Sequence, residues 1–294
     1  MDALAVGPRA SATDGAGVRA PDAEYQQRVL RLFRVSVLKQ AKWRELSRML
    51  GPTAGLRCLD IGSDNGLISY LFRQQGGQWT SADLDAATVE AIRAVVGSDA
   101  VRLDGGRTPF ANSEFDRIVL IDCVEHLHDD RGFLREMARI MKPGGELVIN
   151  VPHRKQSGLR RFRLAIGQTD EAHGHVRHGY TIEELSVILD PSCELFAQHT
   201  YSRFFSEAVD TLVTWGVRRV KHQPHGGGIN PVTGVKGTVV TGQDLARHQK
   251  LLVISSMLYP LLWCAAQLDR LLWFRSGYML IAKARRCAIR GAVT

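Results

Sequence analysis

Paired cysteines are missing from this chain. The five that occur, Cys58, Cys123, Cys193, Cys264 and Cys287, lie far apart with no Cys-x-x-Cys spacing. That excludes a disulfide framework and a cysteine-built zinc site, and it fits a reducing compartment. The first twenty residues are rich in Ala and Gly and lack an apolar core. They read as a disordered tail rather than a signal peptide. Uncharged runs are scarce too. Residues 251–267 come close to the ~17–25 residues that span a bilayer, but Pro260 interrupts them. Acidic residues are absent between Asp210 and Asp244 and again after Asp269.

The remainder is ordinary globular material. In 294 residues, 45% are hydrophobic and 23% charged, which excludes a chain disordered throughout, a collagen and a coiled-coil rod. The length allows one or two domains with a sizeable core. The net charge of +8 is uneven. Residues 1–150 hold 19 Lys and Arg against 20 Asp and Glu; residues 151–294 hold 19 against 10, with eight of the ten histidines. A basic half implies phosphate-bearing substrates, nucleic acid or an anionic membrane surface, unless the charge only solubilises.

Apolar spacings of three and four predict one helix over residues 21–50, stopped by Gly51-Pro52. Strands are then expected at 56–61, 78–83, 100–103, 115–121 and 146–151, with helices at 67–75, 86–96 and 132–141 between them. This alternation predicts a parallel sheet with helices on both faces. Thr181 with Glu184 is a capping-box pattern opening a further helix that ends before Pro191. Strands at 194–201 and 278–282 complete the list. Residues 21–54 thus form an N-terminal helix and 55–202 a core. Residues 203–276 form a helical insertion, and 277–294 a last strand with a basic tail.

Asp60-Ile61-Gly62-Ser63-Asp64-Asn65-Gly66 follows the first strand and opens a helix. Gly62 allows a sharp turn, and Gly66 lets the helix start close beneath a ligand. The dinucleotide pattern G-x-G-x-x-G is absent. Asp60 ends its strand where it can face a ligand's ammonium and would repel a pyrophosphate. Asp83 ends the next strand, where a ribose diol needs a bidentate acceptor. Asp104 follows the third and can accept from an adenine amino group.

These residues resemble a class I S-adenosylmethionine-dependent methyltransferase. Asp60-Ile-Gly62 resembles that family's acidic-x-Gly-x-Gly-x-Gly motif, with Asp64 in place of the middle glycine. Asp83, Leu103-Asp104 with Thr108-Pro109-Phe110, Phe115–Val119 with Glu125-His126-Leu127, and Met141–Gly145 match later family segments in order. The resemblance covers residues 55–153 well and 178–201 loosely. It implies a Rossmann-like doubly wound α/β sheet, mostly parallel with an antiparallel last strand. It also implies S-adenosylmethionine held by Asp60, Gly62, Asp64, Gly66, Asp83 and Asp104.

At the exit of the fourth strand, His126 is a candidate general base for a hydroxyl acceptor. Asp122-x-x-Glu125-His126 also resembles the Glu-x-x-Glu-His group of ubiquinone-pathway O-methyltransferases. There the resemblance implies a divalent cation, Mg²⁺ or Mn²⁺, held by Asp122, Glu125 and His126. The other reading of Glu-His is a helix cap that shapes the pocket. Amine-methylating enzymes of nucleobases resemble one another in an Asn/Asp-Pro-Pro-aromatic motif at this exit. Asp122-Cys-Val-Glu125 is not that motif, which argues against a nucleic-acid partner.

His153, His173, His175 and His178 fall between the fifth strand and the next helix and are candidate substrate contacts. A zinc site among them lacks support from a cysteine or an i, i+4 pair. Residues 251–267, with Tyr259, Trp263, Trp273, Phe274 and flanking arginines, leave three readings open: core or dimer interface, a surface dipping into a bilayer, or a span. Together these features predict methyl transfer to oxygen of an apolar or lipid-linked acceptor of quinone, lipid or glycolipid type. The enzyme would be cytoplasmic, peripheral at the inner face of the membrane. The alternatives are a soluble small-molecule methyltransferase with a helical lid, and a non-catalytic cofactor-binding subunit.

Overall fold

The computed structural model describes residues 20–97, 100–155, 157–167, 175–221 and 249–287. The expected N-terminal tail, His173 and the end of the basic tail lie outside these residues.

Seven strands form one sheet: β1 (Arg57–Ile61), β2 (Gln78–Asp83), β3 (Ala100–Arg102), β4 (Phe115–Ile121), β5 (Met141–Pro152), β6 (Cys193–Tyr201) and β7 (Met279–Arg286). Their order is β3-β2-β1-β4-β5-β7-β6. β7 runs antiparallel to both neighbours, and the β1, β2, β3, β4 and β5 pairings are parallel. The expected mostly parallel sheet with an antiparallel last strand is therefore present. Strand order reverses between β1 and β4, and ligands of open α/β sheets bind at such a point, beyond the carboxyl ends of the strands.

Both faces of the sheet are covered, so alternate residues of one strand enter different cores. Leu59, Ile61, Ile118 and Leu120 pack with Phe133, Leu134, Met137, Leu185 and Leu189. These come from α5 (Asp130–Ile140) and α7 (Ile182–Leu189). Cys58, Val119 and Ile121 pack on the other face with Leu46, Leu50, Phe72 and Trp79. There α2 (Val37–Leu50) and α3 (Leu67–Gln74) lie, and Phe72 stacks on Trp79 with ring centroids 4.5 Å apart.

Several boundaries differ from expectation. The single N-terminal helix is two: α1 (Ala23–Arg34) ends, and Ser36 caps α2 by accepting from the Lys39 N–H. β5 begins at Met141 rather than at residue 146. Phe115 pairs with Met141 but Arg117 pairs with Glu146, so the Pro143-Gly144-Gly145 turn is a bulge within a longer strand. α6 (Gly158–Ala165) was not expected. Ser157 caps it over a run of arginines. α4 (Ala86–Val96) and the Thr181–Glu184 capping box of α7 match expectation.

The insertion is helical where described, with α8 (Phe204–Lys221), α9 (Gln249–Gln267) and a 3₁₀ segment, Leu268–Leu272. Buried Asp269 accepts from the N–H groups of Arg203, Phe205 and Ser206. It thereby ties the end of the insertion to the first turn of α8. No helix among the described residues is long and apolar enough to cross a membrane.

Candidate active site

The turn after β1 shows why glycine is needed at one position and only its conformation at another. Gly62 has φ +92°, and a Cβ there would meet the Ile121 carbonyl oxygen at 2.1 Å. Any side chain would push β1 and β4 apart at the point where strand order reverses. Asp64, in place of the motif's middle glycine, has φ +56°. Asp is among the few residues that visit this region, so the loop keeps its course. Lys39 of α2 stands 3.8 Å from the Asp64 carboxylate, a half-exposed pair of little energetic weight.

Two residues of this segment also do structural work. A Cβ on Gly66 would meet the Ile92 Cα at 2.9 Å. Gly66 therefore serves the close packing of α3 on α4. Asp60 shares the buried face of Cys58 and is sealed from solvent. Its oxygens accept from Ser69 Oγ at 2.5 Å and Ser81 Oγ at 2.7 Å, with Arg73 3.8 Å away. Burial pushes its carboxyl above the ordinary value, against the pull of Arg73 and the two hydroxyls. Asp60 thus fastens β1 to α3 and β2 and does not itself reach a ligand's ammonium.

Asp83 and Asp104 do stand at strand ends as expected. Asp83 is nearly buried, and its Oδ1 accepts from the Asp85 N–H at 3.0 Å, which fixes the carboxylate. Asp104 is exposed, and its Oδ1 accepts from the Gly106 N–H. Behind it, Glu136 accepts from both the N–H and the hydroxyl of Thr108 at 2.7 Å. Burial works to raise the Glu136 pKa, but hydrogen bonds from Arg139 and Thr108 outweigh it and hold it at about 2. A Gly62 cradle that a Cβ would fill, with fixed carboxylates beyond β2 and β3, fits an adenosyl amino acid.

At the end of β4, Asp122 has φ +45°. Its carboxylate pairs with the Lys42 ammonium of α2 and accepts from Asn150 Nδ2 at 2.7 Å. Tyr201 OH donates to Asn150 Oδ1 at 2.6 Å. Burial first, then Asp122 and Glu45, raise the Tyr201 phenol well above its usual range, so it stays a donor. Asp122 is thus committed to Lys42 and Asn150. The expected cation set of Asp122, Glu125 and His126 does not fit this geometry.

A cavity of 390 Å³ opens beside Asp122. Leu38, Leu164 and Met279 give it apolar walls, and Arg160 with the pairs Lys155–Glu207 and Arg163–Asp210 gives it charged ones. His153 and His175 also line it; His126 does not. His126 is 7% exposed, in the 3₁₀ turn Val124–His126, with its ring 4.9 Å from that of His175. His178 is exposed and away from the cavity lining. His153 follows β5, and its Nδ1 lies 3.0 Å from the Gly277 carbonyl oxygen. A carbonyl only accepts, so Nδ1 is the donor in this contact. Spacing could not single out His153 among four histidines. Only the return of β7 beside β5 supplies its partner.

Comparisons with known proteins bear on the family and the fold. Residues 59–149 match the family described as "Methyltransferase domain". The chain is 33% identical over 119 residues to a demethylmenaquinone methyltransferase of Tropheryma whipplei, covering 39% of this chain and 50% of that protein. It is 29% identical over 141 residues to a ubiquinone biosynthesis O-methyltransferase of Bradyrhizobium sp. (strain ORS 278), covering 46% and 54%. The chain spans about half the length of these curated relatives. An S-adenosylmethionine-dependent methyltransferase from Mesorhizobium loti shares the fold, with TM-score 0.50 and 17% identity over 84% of this chain and 98% of that one. Residues 59–149 are thus similar to a methyltransferase domain, set in a sheet that matches the Rossmann-like methyltransferase fold.

Proposed function

We propose that the protein transfers a methyl group from S-adenosylmethionine to a hydroxyl oxygen of an apolar acceptor. Gly62 and the loop through Asp64, with Asp83 and Asp104, would hold the cofactor. When bound it supplies an electrophilic methyl group on a sulfonium. The observation that carries the reading is His153, held through Nδ1 by the Gly277 carbonyl at the wall of the cavity beside Asp122. In this reading Nε2 takes the acceptor's hydroxyl proton, the role sequence alone gave to His126. The apolar walls receive the acceptor's body. Quinone-type names among the relatives support an acceptor of that class.

The helical insertion supports a second element of the reading, a peripheral seat on a membrane. Met257, Leu261, Leu271, Trp273 and Phe274 are from 67% to 78% exposed. α8 packs on α9 and contributes Val213 to the cavity, so a lipid-borne acceptor would have a short path inward.

The test is turnover of labelled S-adenosylmethionine on hydroxylated quinones with and without an isoprenoid tail. His153→Ala should lower turnover by ~10²–10⁴ while cofactor affinity by calorimetry is retained. Cofactor binding with no turnover on any acceptor supports the non-catalytic subunit instead. Wild-type turnover in His153→Ala removes the base.

A further inference from the structure

The side chains that converge at the exit of β4 are not the trio the sequence spacing singled out. Asp122 is drawn toward α2 by Lys42 and toward β5 by Asn150. Its place is taken by a residue some fifty positions later. The ligand atoms of Glu125, His126 and His175 all lie within 4.8 Å of one another, with Glu125 and His126 buried. Tetrahedral ligands about 2.1 Å from an ion stand about 3.4 Å apart, so a pair at the outer limit closes by about 1.4 Å on binding.

The convergence is built into the backbone. Val176 donates its N–H to the Glu125 carbonyl at 3.0 Å. Arg177 donates to the Leu127 carbonyl at 2.8 Å and pairs with Asp130 at the start of α5. The two residues after His175 therefore dock onto the segment carrying Glu125 and His126. His175 is delivered to a fixed position, half-buried, with its ring edge-on to that of His126.

We infer that Glu125, His126 and His175 form a site for one divalent transition-metal ion of the zinc type. Two imidazoles and one carboxylate are a borderline-soft donor set. Mg²⁺ prefers an octahedral shell of oxygens, including several waters, and three donors of which two are nitrogen do not supply it. The ion fastens the segment from His175 to Tyr180 against the exit of β4. Because His175 also lines the cavity, the ion becomes part of the wall that shapes it. The inference rests on side-chain geometry and is independent of the methyl-transfer reading.

The test is calorimetric titration of the full chain, stripped with a chelator, using Zn²⁺ alone and Mg²⁺ alone. One equivalent of Zn²⁺ should bind, at least ~100-fold more tightly than Mg²⁺. Co²⁺ in its place should give the visible bands of a nitrogen- and oxygen-ligated tetrahedral site. His175→Ala, whose residue is half-exposed and so replaceable without unfolding, should weaken Zn²⁺ by ~100-fold with unchanged circular dichroism. Asp122→Asn should bind as the wild type does. Three results overturn the site: no Zn²⁺ taken up by stripped folded protein, undiminished binding in His175→Ala, or loss of binding in Asp122→Asn.

Discussion

Asp60 and Asp83 end neighbouring parallel strands, yet their surroundings give them opposite work. Asp60 lies on a face covered by α3, and a buried carboxylate must find its partners inside the protein. Ser69, Ser81 and Arg73 provide them. Asp83 stands at the mouth, one oxygen fixed by the Asp85 N–H. The difference was legible in the alternation of β1, where Asp60 falls in step with Cys58. The resemblance to an acidic motif obscured it. Asp83→Ala should therefore weaken S-adenosylmethionine. Hydrogen bonds to a charged group contribute about 1.5–3 kcal/mol each, so affinity measured by calorimetry should drop at least ~10-fold. Unchanged affinity in a folded variant would show that the ribose is held elsewhere.

Elements were legible wherever one local signal decided them. Strand alternation and the Thr181–Glu184 box lie within a few residues of what they specify. The misses share a different origin. Ser36 breaks the N-terminal helix although the apolar spacing runs through it, because a cap competes locally with the helical period. The bulge in β5 is set by β4, and the meeting of His175 with His126 depends on a docking contact across the fold. The segment after β3 is also held from afar, by Glu136 of α5. Its folded pKa of about 2 lies below the ordinary 4.5, so its charge stabilises the fold above the ordinary value. That contribution fades as pH falls from 4.5 toward 2. Urea midpoints of wild type and Glu136→Gln should differ at pH 7 and converge as pH approaches 2. A gap independent of pH would mean that Glu136 acts through packing rather than charge.

At the scale of the molecule, counting charge by halves of the sequence pointed to the C-terminal half, but the fold redistributes it. α2 of the near-neutral half packs against α9. Between them runs a groove lined by Arg34, Arg44 and Arg48 with Trp43 and Tyr259. Tyr259 OH donates to Gln40 Oε1 at 3.0 Å, holding the two helices together. Arg270, within the 3₁₀ segment, and Arg275, three residues after it, are exposed. Exposed arginines thus come from both halves of the sequence. An anionic bilayer would meet the charges at its headgroups and the apolar side chains just below them. Each basic residue near the surface is worth ~1 kcal/mol, so the protein should float with vesicles containing phosphatidylserine and float less at high salt. Trp273 is 78% exposed, so Trp273→Ser with Phe274→Ser should shift the melting temperature little while reducing flotation several-fold. Arg44→Gln with Arg48→Gln should flatten the salt dependence. Folded wild-type protein that stays at the bottom of the gradient at low salt would assign the apolar face to another partner, and unfolding of the double aromatic variant would return those side chains to the core.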